Sequence, residues 1–258
     1  MHPVLTVLHW EGVTRPIGSY GALLVLALVL GSALTVRAAI RGGYDEGAII
    51  SALAGAIGLG FLGAYLAATL VTWLQTGSLR GAAIMFYGGA AAGTLAYARL
   101  AAHFGVPAGS ALDLALPGFP IAHALGRIGC LLGGCCYGAP SELPWAIVYT
   151  HPLAAAAVSD QPRHPWPLYE ACCLLVLAAI FARPPRRALA PGTRAARYVL
   201  AYAAVRCSLE PLRGDALRGV FCGGLVSAGQ LCALASALIA LGFLWLHRPA
   251  LCASGEAV

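Results

Sequence analysis

The 258-residue chain carries 16 basic and 10 acidic side chains, 10% of the total, for a formal net charge of +6 at pH 7. An ordinary soluble domain has roughly 25% charged residues, whereas here hydrophobic residues reach 60% and the mean hydropathy is +0.79. A water-soluble globule of this size cannot hide so much apolar surface, and a disordered chain needs the opposite composition. The sequence is that of an integral membrane protein.

An apolar stretch of about 20 residues crosses a bilayer as a helix. With that window seven spans are predicted, near 18–40, 47–74, 82–103, 109–136, 166–182, 195–213 and 225–247. The fold class is therefore all-α, a polytopic bundle of about seven transmembrane helices. No repeat or linker divides it, so residues 1–258 form one domain. The first span follows a segment with Glu11 and Arg15 rather than a basic n-region and a small-residue cleavage site, and reads as a retained helix.

All 16 basic residues are Arg, whose planar fork of donors suits phosphate, although codon bias in a GC-rich genome would also favour it. They are scattered among apolar runs, which argues against a nucleic-acid footprint. Their distribution orients the chain. With the N-terminus outside and the C-terminus in the cytoplasm, nine arginines (37, 41, 99, 183, 186, 187, 194, 197 and 248) fall inside. Five (15, 80, 163, 213 and 218) fall outside, and Arg127 and Arg206 lie within spans. The longest outer connection, 138–165, holds Pro140, Pro144, Pro152, Pro162 and Pro165. These disfavour a long helix and predict a small extracytoplasmic lobe.

Ionisable groups within hydrocarbon are costly and mark functional candidates. In the sixth span Tyr202, Arg206, Glu210 and Arg213 fall at i, i+4, i+8 and i+11, one stripe on a helix; an Arg206–Glu210 pair that only neutralises itself is the plainer reading. Pro211 should bend or stop the helix. In the fourth span Gly126, Gly129 and Gly133 give a smooth face that a backbone or a lipid headgroup can approach. Gly133-Gly134 should unwind the helix, and Arg127 just before the break is a candidate phosphate ligand, with tight packing and a snorkelling Arg127 as the alternative.

Of nine cysteines, Cys130, Cys135, Cys136, Cys172, Cys173 and Cys222 belong to the outer half of the membrane or beyond it, where disulfides are permitted. The Cys-x4-Cys-Cys spacing leaves three readings open: a disulfide, a soft-metal site, or small buried packing residues.

These residues together resemble one family, the bacterial prolipoprotein diacylglyceryl transferases, along nearly the whole chain and in the same order. The likeness lies in Tyr20-Gly21, Phe86-Tyr87-Gly88-Gly89, Asp113 with Pro117, and Gly126-Arg127-Ile128-Gly129. It continues through Arg163-His164-Pro165 with Leu168-Tyr169-Glu170, the Tyr202/Arg206/Glu210/Arg213 spacing, and Ser227-Ala228-Gly229-Gln230. The chain departs from the family pattern at Cys130, Gly133 and Cys135, where the family has Asn, Asn and Glu. Tyr87 replaces its His, and Pro167 replaces its Gln. This is the pattern of a divergent, cysteine-rich branch.

The resemblance implies transfer of diacylglyceryl from phosphatidylglycerol, or a similar anionic phospholipid, to the lipobox cysteine of a prolipoprotein signal peptide, in the bacterial cytoplasmic membrane. Arg127 and Arg206 would take up charge developing on the departing phosphate, and Glu210 would orient Arg206. Tyr87, His164 and His123 are the candidates for general base. Substrate contacts are expected from Tyr20, Gly88, Gly89, Gly126, Gly129, Cys130, Cys135, Tyr169, Tyr202 and Arg213. No cofactor and no metal ligand is assigned. The alternatives are a phospholipid-using transferase with another acceptor, or a non-catalytic or redox lipid-binding paralogue.

Overall fold

A computed structural model describes residues 3–10, 13–79, 85–150, 160–183, 189–214, 220–221 and 226–247. Arg80, Arg186, Arg187, Arg218, Arg248 and Cys222, which enter the orientation and thiol arguments above, lie outside the described residues.

The chain opens with an antiparallel hairpin, β1 (Val4–Trp10) and β2 (Val13–Gly18). Among the described residues eight helices follow: α1 (Ser19–Arg41), α2 (Glu46–Thr76), α3 (Phe86–His103), α4 (Ala108–Ala115), α5 (Phe119–Gly133), α6 (Trp166–Phe181), α7 (Thr193–Leu209) and α8 (Ala228–Leu246). A 3-10 turn, Glu210–Leu212, continues α7, and two-residue strands β3 (Val220–Phe221) and β4 (Val226–Ser227) pair just before α8. Each expected span contains a helix, and the fourth contains two. The hairpin was not foreseen, although Val4-Leu-Thr-Val and Val13-Thr are ordinary strand composition.

α1, α2 and α8 are long and apolar enough to cross a membrane singly, and α4 with α5 are so when taken together, with a bend of 49° between them. α6 is apolar but shorter, at 16 residues. Side chains such as Val25, Leu62, Leu66, Leu234, Leu238 and Ile239 stand exposed on these helices, a surface that only lipid would cover. The chain is a multi-pass membrane protein.

The bend has a local cause. Pro117, Gly118 and Pro120 interrupt the hydrogen-bond ladder where α1 crosses: a Cβ on Gly118 would lie 2.1 Å from the Gly31 carbonyl oxygen. α5 then ends at Gly133, with Gly134 in the left-handed region at φ +69, as the glycine pair predicts. α7 likewise gives way at Pro211. α8 starts on a capping box in which Gln230 N–H donates to Ser227 Oγ at 3.1 Å and Ser227 N–H to Gln230 Oε1 at 2.9 Å. The Ser-Ala-Gly-Gln motif thereby has a structural job, satisfying N–H groups that lipid cannot.

Residues 134–150 and 160–165 form no helix, in keeping with their prolines. They are stitched to both neighbouring elements through the backbone. Gly138 N–H donates to His164 O at 3.0 Å, Ala139 N–H to Leu212 O at 2.9 Å, and Gly214 N–H to Tyr137 O at 3.1 Å. This stitching brings the C-terminal ends of α5 and α7 to the N-terminal end of α6.

Candidate active site

Where those three ends meet, the bundle buries Arg127 (α5), Glu170 (α6), Arg206 (α7) and Glu210 (the 3-10 turn), all at most 8% exposed. Arg127 Nε lies 2.8 Å from Glu170 Oε2. Tyr202 OH donates to Glu170 Oε1 at 2.8 Å, and His123 Nε2 stands 3.9 Å from the same oxygen. Arg206 pairs with Glu210 one turn later and donates through Nε to Tyr87 OH at 3.1 Å. Tyr87 in turn donates to the Gly229 carbonyl at 3.3 Å. The Arg206–Glu210 pair is thus embedded in contacts from α3 and α8 rather than closed on itself.

Trp166, fully buried at the first turn of α6, joins three arginines. The guanidinium carbons of Arg206 and Arg213 lie 4.9 Å from its ring centroid and that of Arg127 lies 5.5 Å away. Its indole N–H donates to Leu209 O at 2.7 Å, which fixes the ring against the last turn of α7. Phe86 adds a second aromatic face to Arg127 at 5.5 Å and stacks on His123 at 4.7 Å. Guanidinium–aromatic contacts gain strength when water is excluded. Three guanidiniums and two carboxylates, Glu170 and Glu210, share this cluster. Arg206 Nη2 is buried with no hydrogen-bond partner.

Gly229 makes room for that guanidinium: a Cβ there would sit 2.4 Å from Arg206 Nη2. Gly126 has open space where a Cβ would point, while Gly129 lies under Tyr20, with a Cβ-to-ring distance of 3.1 Å. Tyr20 is half-exposed and lies along this glycine face. Gly88 and Gly89 meet α2 instead, where added Cβ atoms would come 2.8 Å from the Gly63 carbonyl oxygen and 3.1 Å from that of Gly60. The close approach they permit is between helices. His164 and Tyr169 form a separate relay: His164 Nδ1 is 3.2 Å from Tyr169 OH, which accepts from Trp145 Nε1 at 2.7 Å.

Cys130, Cys135 and Cys136 come together, with all three Sγ atoms within 4.8 Å of one another. All seven cysteines among the described residues are free thiols. An Arg213 Nη2 donor lies 3.9 Å from Cys136 Sγ, so the thiols border the arginine cluster. Nearby Tyr149 is buried, which pushes its phenol up to about 12, so it stays protonated at any physiological pH.

Sequence reasoning named Glu170 only within the Leu168-Tyr169-Glu170 motif, without a role, and did not name Trp166. Glu170 carries a signal, being an acidic residue within an apolar span. Trp166 carries none, because one aromatic among many in a membrane helix is unremarkable until three cations are seen around it.

Residues 9–246 match the sequence profile of the family described as prolipoprotein diacylglyceryl transferase. The chain is 29% identical over 248 residues to the phosphatidylglycerol–prolipoprotein diacylglyceryl transferase of Clostridium tetani, covering 93% of this chain and 96% of that protein. It is 30% identical over 217 residues to the protein of that name from Dehalococcoides mccartyi, covering 80% and 78%. It is 27% identical over 219 residues to the second such transferase of Clostridium perfringens, covering 82% and 84%. With the profile spanning nearly its whole length and the paired arginines on one buried tryptophan, the chain belongs to the prolipoprotein diacylglyceryl transferase family.

Proposed function

We propose that this chain moves the diacylglyceryl group of phosphatidylglycerol onto the thiol of an acceptor cysteine in a prolipoprotein signal peptide. A thioether forms and glycerol phosphate is released. The observation that carries the reading is the convergence of Arg127, Arg206 and Arg213 on Trp166, with a buried Arg206 donor that has no hydrogen-bond partner. The bond that breaks joins a glyceryl carbon to a phosphate oxygen, so negative charge grows on the departing phosphate. Preorganised cations in a water-poor site stabilise that charge most effectively.

Glu210 and Tyr87 hold the Arg206 fork, and Glu170 with Tyr202 holds Arg127. These residues position the donors rather than touch the reacting carbon. The open side of Gly126 offers a lateral path for the lipid headgroup. The site lies at the bundle end opposite Arg37, Arg41, Arg183 and Arg194, so the arginine-rich loops would face the cytoplasm and the site would open to the outer leaflet of a bacterial cytoplasmic membrane.

The test is transfer from labelled phosphatidylglycerol to a lipobox peptide in membranes containing the full chain. Arg127→Ala and Arg206→Ala should each lower transfer roughly 10²–10³-fold, the scale of losing one transition-state donor. Wild-type turnover in both variants, at equal expression, would overturn the assignment. Complementation of a strain depleted of its own transferase identifies the acceptor as lipoprotein, and failure with good expression would point to another acceptor.

A further inference from the structure

The transfer reading gives Cys136 no role and Cys130 and Cys135 only expected substrate contacts, and at the position of the family's histidine the chain has Tyr87. The cluster is built with some care. Cys130 is buried in the last turn of α5. Cys135 folds back so that its N–H donates to Cys130 O at 3.0 Å and its Sγ lies 3.6 Å from the same oxygen. Cys136 takes φ +55, and is the one non-glycine residue with positive φ among the described residues. A side chain is held in that region only when its surroundings over-determine it. Here the result is that its sulfur joins the other two.

Three sulfurs around one zinc ion at about 2.3 Å stand about 3.8–4.0 Å apart. The cluster, with every separation within 4.8 Å, needs an inward shift of at most about 1 Å to reach that spacing. Three thiolates with Zn²⁺ carry one net negative charge, and Arg213 Nη2 lies 3.9 Å from Cys136 Sγ. A three-ligand zinc site keeps its fourth position open, the arrangement of catalytic rather than structural zinc.

We propose that Cys130, Cys135 and Cys136 bind one Zn²⁺ ion whose open position takes the acceptor thiol and delivers it as a thiolate; this second half rests on the transfer reading above. On binding, the acceptor thiol releases its proton to water. A lone pair of the bound sulfur forms the new S–C bond to the glyceryl carbon while the C–O bond to phosphate breaks. The bonding pair leaves on the phosphate oxygen, facing Arg127 and Arg206. Zinc stays divalent throughout, and the neutral thioether, a weaker ligand than a thiolate, leaves the metal. Tyr87 then need not act as a base.

The experiment uses the full chain purified in detergent or nanodiscs, supplied with Zn²⁺ or Co²⁺ and desalted. Wild type should retain one metal per chain and, with Co²⁺, show thiolate charge-transfer absorption and tetrahedral d–d bands. A lipobox peptide should perturb those bands, whereas the same peptide with Ser for Cys should not. Cys130→Ser, Cys135→Ser and Cys136→Ser should each weaken retention at least tenfold. Chelator treatment should abolish transfer, and Zn²⁺ should restore it.

Absence of stoichiometric metal from folded wild type, or a disulfide detected by mass within the cluster under the same conditions, overturns the proposal. Metal retention with transfer indifferent to chelation overturns the thiol-delivery half. Should the Ser variants fail to fold, the wild-type Co²⁺ spectrum and its response to peptide decide instead. If wild type transfers nothing yet the Co²⁺ bands respond to the thiol peptide, the zinc site stands and the diacylglyceryl reading is the part that fails.

Discussion

Between α2 and α3 the contacts are made by what is missing: Gly60, Gly63, Gly88, Gly89 and Gly93 bring two backbones together, and Ala48, Ile49, Ala52, Ala56, Ala96 and Ala101 fill the adjoining core. Between α5, α6 and α7 an apolar cluster of Ala124, Ala171 and Leu174 is joined by long polar side chains, Arg127 and Tyr202 both reaching Glu170. Lipid tails are as apolar as any side chain, so helices join in a bilayer through close packing or through polar pairing. One half of this molecule relies on the first means, and the other adds the second to it. Close packing makes a frame that does no chemistry. Polar pairing leaves charge in hydrocarbon, which is costly for a scaffold and useful for binding an anion.

The sharpest way to break that contrast is Glu170→Ala. Removing a fully buried carboxylate strands Arg127 and leaves Tyr202 without its acceptor, and breaking a buried pair from one side costs about 3–5 kcal/mol. Transfer should vanish and the unfolding midpoint in detergent should fall. Glu170→Gln should recover part of the stability but little of the transfer, because the amide accepts from Tyr202 yet gives Arg127 no charge. Retained transfer in the Gln variant would remove Glu170 from the group that positions Arg127. On the other side of the molecule, Gly88→Val drives a side chain against the Gly63 carbonyl, and overpacking of this kind costs about 1–3 kcal/mol. Stability should drop while KM for phosphatidylglycerol stays put. A raised KM at unchanged stability would return Gly88 to the lipid-binding surface that its place in the motif suggests.

How much of this was readable from the sequence follows the same division. Helix positions, the break after Gly133 and the stop at Pro211 were legible, because hydropathy and backbone chemistry are local properties. Arg127 and Arg206 were legible because a charge in an apolar run stands out. What they touch was not: Glu170 lies 43 positions from Arg127, and nothing local to either announces the pair. Gly88 and Gly89 show the reverse failure. Beside Tyr87 they read as headgroup contacts, and only the placement of α2 gives them to helix packing. The thiols fell between: Cys-x4-Cys-Cys is compatible with a disulfide, a metal site or plain packing, and only the fold shows that the left-handed Cys136 brings its sulfur to the other two.

The two halves meet at α4, and the smallest expected effect probes that seam. Ala111 packs into the small-residue core with Tyr97 and Ala101, while two residues on Asp113 reaches across to α7. Its Oδ1 accepts from Ala195 N–H at 2.8 Å and its Oδ2 from Gly192 N–H at 3.0 Å. A carboxylate at this end satisfies two orphan donors and sits at the positive pole of α7. Asp113→Ala should cost about 1 kcal/mol, as for loss of an N-cap. Hydrogen exchange should quicken at the first-turn amides of α7 and stay unchanged along α2 and α3. Transfer should fall only slightly, because Arg206 lies three turns further along the helix and is held there by Tyr87, Glu210 and Trp166. If protection were lost along α2 and α3 as well, the frame and the polar half would be one cooperative unit, and α4 would be the element that makes them so.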